Sequence, residues 1–196
     1  IDTEGLVNTV HRVPTTFIRN DSGDVNLTDV WGDATIHWTD KFRTTISARE
    51  DAIWYNFDAI QPQNSGSDND TIFSPKISAA YTFTDALEAY AEYGQSFHTN
   101  DPRGGLLHVD PVTGGPVDPS PVFVKSLGGE VGVRYQPSRS LNVALSVFEL
   151  DLDSELIFVG DAGTSEPSDP TRRYGVEVNA FWQPIDWLTF DASGAW

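Results

Sequence analysis

Apolar and polar side chains alternate with a period of two along most of this chain. Leu127, Gly129, Val131, Val133 and Tyr135 share one face, with Glu130, Gly132 and Arg134 on the other. After a short polar break, Leu141, Val143, Leu145 and Val147 oppose Asn142, Ala144 and Ser146. Tyr174, Val176, Val178, Ala180 and Trp182 oppose Glu177 and Asn179, and Leu188, Phe190, Ala192, Gly194 and Trp196 oppose Thr189, Asp191 and Ser193. Successive side chains of a β-strand point to opposite faces, so the pattern predicts strands with one apolar face. The stretch 84–92 is rich in helix formers and starts like a capping box, but its place in a repeat assigns it to a strand. The predicted strands cover roughly 5–18, 27–38, 42–57, 71–83, 87–98, 126–136, 141–156, 172–183 and 187–196, about nine in all.

The repeat consists of an aromatic residue, a short polar turn and a new alternating run. Trp38, Tyr81, Tyr135 and Trp182 hold the aromatic position, and Leu87, Leu141 and Leu188 follow the last three at the same offset. Repeated hairpins are the natural reading. The turns inside the repeat, at 39–41, 84–86, 137–140 and 184–186, are short. The connections between repeats, at 59–70, 100–125 and 157–170, are long and polar. Short turns alternating with long loops mark an outer-membrane barrel, whose periplasmic turns are short and whose extracellular loops are long. Trp38, Phe42, Tyr81, Phe83, Tyr135, Trp182 and Trp187 cluster beside the short turns, where an interfacial girdle would lie. A soluble meander or sandwich would turn the same apolar face inward. Alternation alone does not choose between the two; loop asymmetry and aromatic placement favour the membrane. An odd strand count leaves an unpaired edge in lipid, so the expectation is a section of a larger barrel. The chain begins at Ile1 and contains no methionine, which points the same way.

Composition narrows the function classes. There are 12 basic and 29 acidic side chains, a formal charge of −17. That balance argues against nucleic acid as a partner, because such binding rests on Lys and Arg at phosphates. It equally disfavours docking on anionic headgroups. With no cysteine, disulfide scaffolds, thiolate metal sites and Cys nucleophiles are excluded. No apolar run approaches the roughly 18 residues of a membrane-spanning helix.

The stretch 74–97, from Ser-Pro-Lys through Tyr-Thr-Phe-Thr-Asp to Tyr-Gly-Gln-Ser-Phe, resembles the barrel of TonB-dependent receptors. The stretch 150–168 and the Arg172-Arg-Tyr-Gly-Val-Glu177 strand look like one branch of the same family, and the likeness spans roughly 27–196. The resemblance implies an all-β, antiparallel up-and-down transmembrane barrel of about 22 strands with a plugged lumen. It implies a receptor for a scarce nutrient, usually a ferric siderophore, otherwise haem, cobalamin or a glycan. Its partners would be outer-membrane lipid, the extracellular nutrient, and a TonB complex acting through an N-terminal plug. Neither plug nor TonB-engaging box is recognisable here, so residues 1–196 read as a partial barrel domain. An outer-membrane barrel hydrolase and an adhesive or structural barrel are the competing readings.

Few side chains suggest chemistry, and no cofactor or catalytic residue is assigned. Glu149, Asp151, Asp153, Glu155, Asp161, Glu166 and Asp169 form an acidic run without Lys or Arg. Glu149, Asp151, Asp153 and Glu155 continue the parity of the lipid face, where carboxylates are costly. Either the strand has left the membrane by residue 149 or a bulge switches its faces. Asp151, Asp153 and Glu155 are candidate ligands for a hard cation such as Ca²⁺, against a plain solvated extension. Arg172 and Arg173 are candidate contacts for an anionic solute, with pairing to nearby carboxylates as the alternative. Arg103, His108 and Asp110 in the long loop complete the candidate substrate contacts. The His–Asp pair also raises metal ligation or general-base catalysis as a minor reading.

Overall fold

The computed structural model describes residues 2–159 and 164–196. One antiparallel nine-stranded sheet runs β1 (Asp2–Val10), β2 (Val13–His37), β3 (Phe42–Asp58), β4 (Gly66–Thr84), β5 (Leu87–Thr99), β6 (Phe123–Ser138), β7 (Leu141–Leu152), β10 (Thr171–Ile185) and β11 (Leu188–Ala195). Strands neighbour each other in chain order, the up-and-down order of a barrel wall. A separate hairpin, β8 (Leu156–Val159) with β9 (Thr164–Pro167), fills the last long connection.

The register decides which face each side chain occupies. Ile46 lies opposite Ile77, Ile77 opposite Tyr93, Tyr93 opposite Gly129, and Val131 opposite Val147. Val147 in turn faces Val176. These residues form an outer face on which Ile46, Ile77, Tyr93, Val131 and Val147 are exposed. Going up from each short turn, the outer positions are apolar, apart from Thr44 on β3, until a charged or amide side chain closes the band: Glu50, Gln95, Lys125, Glu149 and Arg172. The enclosed height is about nine residues per strand, the length a tilted strand needs to cross hydrocarbon.

The ladder from β7 to β10 continues unbroken to Leu152 opposite Thr171. No bulge interrupts it near residue 149, so the carboxylates of β7 lie outward because the strand has risen above the membrane. The stretch 84–92 is a turn followed by strand, as the repeat indicated.

Two boundaries differ from expectation. The first hairpin does not turn in the polar stretch 19–26. It turns at His11 and Arg12, both with positive φ (52° and 68°), in the two-residue geometry whose twist suits a hairpin. Gly23 serves close approach. A Cβ there would lie 2.1 Å from the Asn56 carbonyl oxygen and 2.4 Å from the Phe57 ring. β2 therefore passes through Asn20–Gly23 without breaking, and β1 pairs only with Val13–Gly23, above the end of β3. Likewise the 59–70 connection shortens to 59–65, because Gly66–Asp70 zips onto Ile53–Phe57.

The outer-face assignment carries a direct consequence. Val131→Arg, near the middle of the band, is expected to cost about 2–4 kcal/mol. Thr45→Arg, on the opposite face, is expected to cost far less. Denaturant titration of the folded barrel in lipid vesicles measures the difference.

Candidate functional site

The inner face is polar, and several of its charges are paired. Arg43 of β3 donates two hydrogen bonds to Glu88 of β5, at 2.6 and 2.9 Å, and Arg134 of β6 reaches the same carboxylate at 3.3 Å. The Arg134 guanidinium also lies 5.3 Å from the centre of the Tyr90 ring, whose hydroxyl donates to Glu130 at 2.5 Å. Higher up, Lys76 pairs with Glu92 at 3.0 Å. Asp51 is fully buried and accepts two bonds from Arg49, at 2.8 and 2.6 Å. A buried carboxylate without such a partner would be strongly destabilising.

Above this ladder, the two long connections close over the inner wall. Ile53, Tyr55, Phe57 and Ile72 from β3 and β4 pack with Leu106, Val122 and Phe123, and Phe97 joins them edge-on to Phe123 at 5.0 Å. This is the one apolar core among the described residues, and it lies at the extracellular end. Gly105 permits the closest approach, because a Cβ there would meet the Tyr55 hydroxyl at 2.4 Å. Burial first, then the charges of Asp68 and Asp70, push the Tyr55 phenol up to about 12.

One amide holds the loops together. The buried Asn64, in the short 3₁₀ turn Pro62–Asn64, accepts from the backbone N–H of His108 and of Val109, each at 2.9 Å. Its Nδ2 donates to the Val109 carbonyl at 2.8 Å, and Gln61 donates to the Pro111 carbonyl at 3.2 Å. The segment 108–117 is thereby a small hairpin, bridged at Val109 and Pro116, rather than an open stretch.

Most candidate contacts turn out to be bound within the protein. Arg103 grips Asp101 through Nε at 2.9 and 3.0 Å. Burial pushes the Asp101 carboxyl up, but Arg103's hydrogen bonds and charge outweigh it and leave the pKa lowered. Arg172 pairs with Asp151 at 2.6 and 3.1 Å and with Glu149 at 3.3 Å, all on the outer face. Arg173, one residue on and hence on the opposite face, pairs with Glu155, which also accepts from Thr171 at 3.2 Å.

The arginines therefore pair with Glu149, Asp151 and Glu155, and Asp151, Asp153 and Glu155 do not gather into a three-carboxylate cluster. No group of three His, Asp or Glu side chains gathers to hold a metal among the described residues. Asp161 lies outside the described residues, and of Glu166 only the backbone is described.

His108 and Asp110 make no hydrogen bond to each other among the described residues. Asp110 accepts from the amides of Val112 and Thr113, at 2.8 and 2.7 Å, closing the turn of its hairpin. The imidazole of His108 is exposed. Sequence reasoning passed over Asn64 and the inner ion pairs. The inner pairs had a signal in polar parity. Asn64 had none, because its partners lie more than forty residues away.

A register-true antiparallel wall, apolar outside, charged inside and capped by packed loops at one end, defines a segment of a transmembrane β-barrel. The sequence profile of the TonB-dependent receptor-like β-barrel family matches residues 3–196, and the chain belongs to that family. Solved structures agree at the level of fold. The alcaligin outer-membrane receptor FauA of Bordetella pertussis superposes with a TM-score of 0.63 at 16% identity, over 90% of this chain and 30% of its own. The ferric yersiniabactin uptake receptor FyuA of Yersinia pestis gives 0.63 at 21%, over 93% and 28%. The copper transporter OprC gives 0.65 at 17%, over 95% and 31%. The chain thus spans under a third of the length of these structures. No curated protein matches it. The family is one of outer-membrane receptors of bacteria, and this segment belongs to that membrane.

Two outcomes follow from the loop geometry. Asn64→Ala strands backbone groups of residues 108 and 109 and is expected to cost about 1–3 kcal/mol locally. Amide exchange at Val109 should accelerate while that of the β6–β7 ladder stays unchanged. Hydrogen bonds from the Thr113 amide first, then the Val112 amide and Thr113 hydroxyl, lower the Asp110 pKa against slight burial. A lowered folded-state pKa stabilises the turn above the ordinary carboxylate value of about 4. That contribution is lost as pH falls through the folded-state value. Asp110→Asn keeps the acceptor, so protection factors at Val112 and Thr113 should lose their dependence on pH below 5.

Proposed function

We propose that this chain forms part of the wall and outer loops of a receptor that captures a scarce nutrient and imports it with energy from TonB. A ferric siderophore is the cargo of this reading. Family membership is the observation that carries it, supported by relatives of the same fold whose names record alcaligin and ferric yersiniabactin. The inner wall fits the role physically. It is wet and charged, yet each large charge cluster is cross-paired, so a solute meets a surface that does not collapse onto it.

Residues 1–196 are then a partial barrel domain, with the plug and its TonB contact supplied by other parts of the protein. Solute capture falls to the extracellular end. The exposed His108 imidazole is the contact best placed to meet a ligand. Arg103, Asp110, Arg172 and Arg173 border the same end and shape it through their internal bonds.

The test is uptake. A strain lacking the full-length receptor is expected to lose uptake of at least one ⁵⁵Fe-loaded siderophore from a panel and to grow slowly under iron limitation. A full-length copy should restore both, and loss of TonB should abolish both. Undiminished iron uptake, with a defect confined to haem, cobalamin, copper or a glycan, would replace the siderophore by that nutrient.

A further inference from the structure

Above the polar collar, outward side chains meet the headgroup layer of the membrane instead of hydrocarbon. On β3 the two faces separate sharply at this height. Ile53 and Tyr55 point inward and are 2% and 4% exposed, while Trp54 between them points outward and is 48% exposed. Trp54 stands four residues beyond Glu50, which is about 13 Å along a strand. The tilt of a barrel strand places it about 10 Å above the collar. An anchoring aromatic of the interfacial girdle lies lower, because that zone adds only about 5–7 Å to each side of the hydrocarbon.

The register builds a patch around the indole. Asn26 of β2 and Asn69 of β4 lie directly opposite Trp54, one on each side. Both are exposed, and neither side-chain amide has a hydrogen-bond partner among the described residues. One row down, Thr28 and Thr71 flank the outward Ala52; one row up, Asn56 lies between Asp24 and Ser67. Across these rows Asp24 alone carries a charge, and there is no cation.

A flat ring between two neutral amides, with hydroxyls beside it, suits a sugar. A pyranose offers C–H groups on its face, which pack on an indole. Around its edge it carries hydroxyls that both donate and accept, as an Asn amide does. A phosphate would call for Arg or Lys, which these rows lack. We propose that Trp54, Asn26 and Asn69 bind a core sugar of the glycolipid that forms the outer leaflet around the barrel. The occupant follows from position: the patch continues the lipid-facing wall upward without a break, to the height where the sugars of that glycolipid begin. The assignment depends on the membrane in which the wall sits and is independent of the imported cargo.

The experiment titrates the folded full-length receptor, purified in detergent and stripped of bound lipid, with two lipopolysaccharides. One carries a complete core oligosaccharide, and the other is cut back to lipid A and its first acidic sugars. The complete form should bind with a Kd about 5- to 10-fold lower. Trp54→Ala should erase that preference while leaving affinity for the truncated form unchanged. The double substitution Asn26→Ala, Asn69→Ala keeps the indole and should reduce the preference, which preserves the test if Trp54→Ala does not fold. Equal affinity of the unaltered receptor for the two forms would overturn the proposal, as would a preference that survives the substitutions. So would an equal loss of affinity for both forms in Trp54→Ala, since the indole would then be an ordinary lipid anchor. Free core oligosaccharide binding as tightly as the intact glycolipid would overturn it too, because the patch would then serve a soluble glycan.

Discussion

Everything in this wall follows from one constraint: inside hydrocarbon, no backbone N–H or C=O can be left without a partner, because no water is there to replace it. A strand meets that constraint only through neighbours on both sides, which forces ladders without gaps across the membrane band. Between β3 and β4 the pairing runs unbroken from Phe42–Tyr81 to Phe57–Gly66. The shifts that do occur between β4 and β5, β6 and β7, and β10 and β11 sit beside the short turns. The remaining shifts lie in the β1–β2 hairpin, at Leu6/Val7 and Asn8/Thr9, above the band, so irregularity falls where water is available.

Once the backbone is fixed in this way, side chains have only two destinations, and the chemistry of each is sorted by parity. Outward positions tolerate Val, Ile and aromatics, and the first polar residue outward marks the membrane surface. Inward positions accept charge, but in a narrow, partly desolvated space a lone charge is expensive, so Glu88 is shared by two arginines and Asp51 is sealed under one. Exposed ion pairs contribute little individually. Their role here is to keep the inner surface polar and fixed in shape.

Parity is also what made the fold legible before any coordinates. The runs around Val131, Val147 and Val176 named their faces, and aromatic–turn spacing named the periplasmic end. Two kinds of feature were out of reach. The first was hairpin position: Asn20–Gly23 carries turn-forming residues, but Gly23 is spent on the close approach of Asn56, a contact visible only in three dimensions. The second was the union of the loops. Nothing in the local sequence of Asn64 announces that its amide closes on His108 and Val109, because that contact is set by the height of β3 and β4. Within the acidic run, Asp151 was a candidate cation ligand beside the alternative of a solvated extension. Arg172 opposite Asp151 is a matter of register, and register made it an ion pair.

The neighbour-to-neighbour order of the strands has a bearing on assembly. Each strand of the sheet pairs only with the strands that flank it in the chain, and even β7 and β10 are separated only by a small local hairpin. Entropy of loop closure is therefore spent in small instalments, one hairpin at a time, and no distant segment must be found before a near one can dock. Such a wall can lengthen strand by strand like a zipper, with each completed hairpin offering a template edge to the next. The only long-distance closure it faces is the final one, where the last edge of the barrel meets the first.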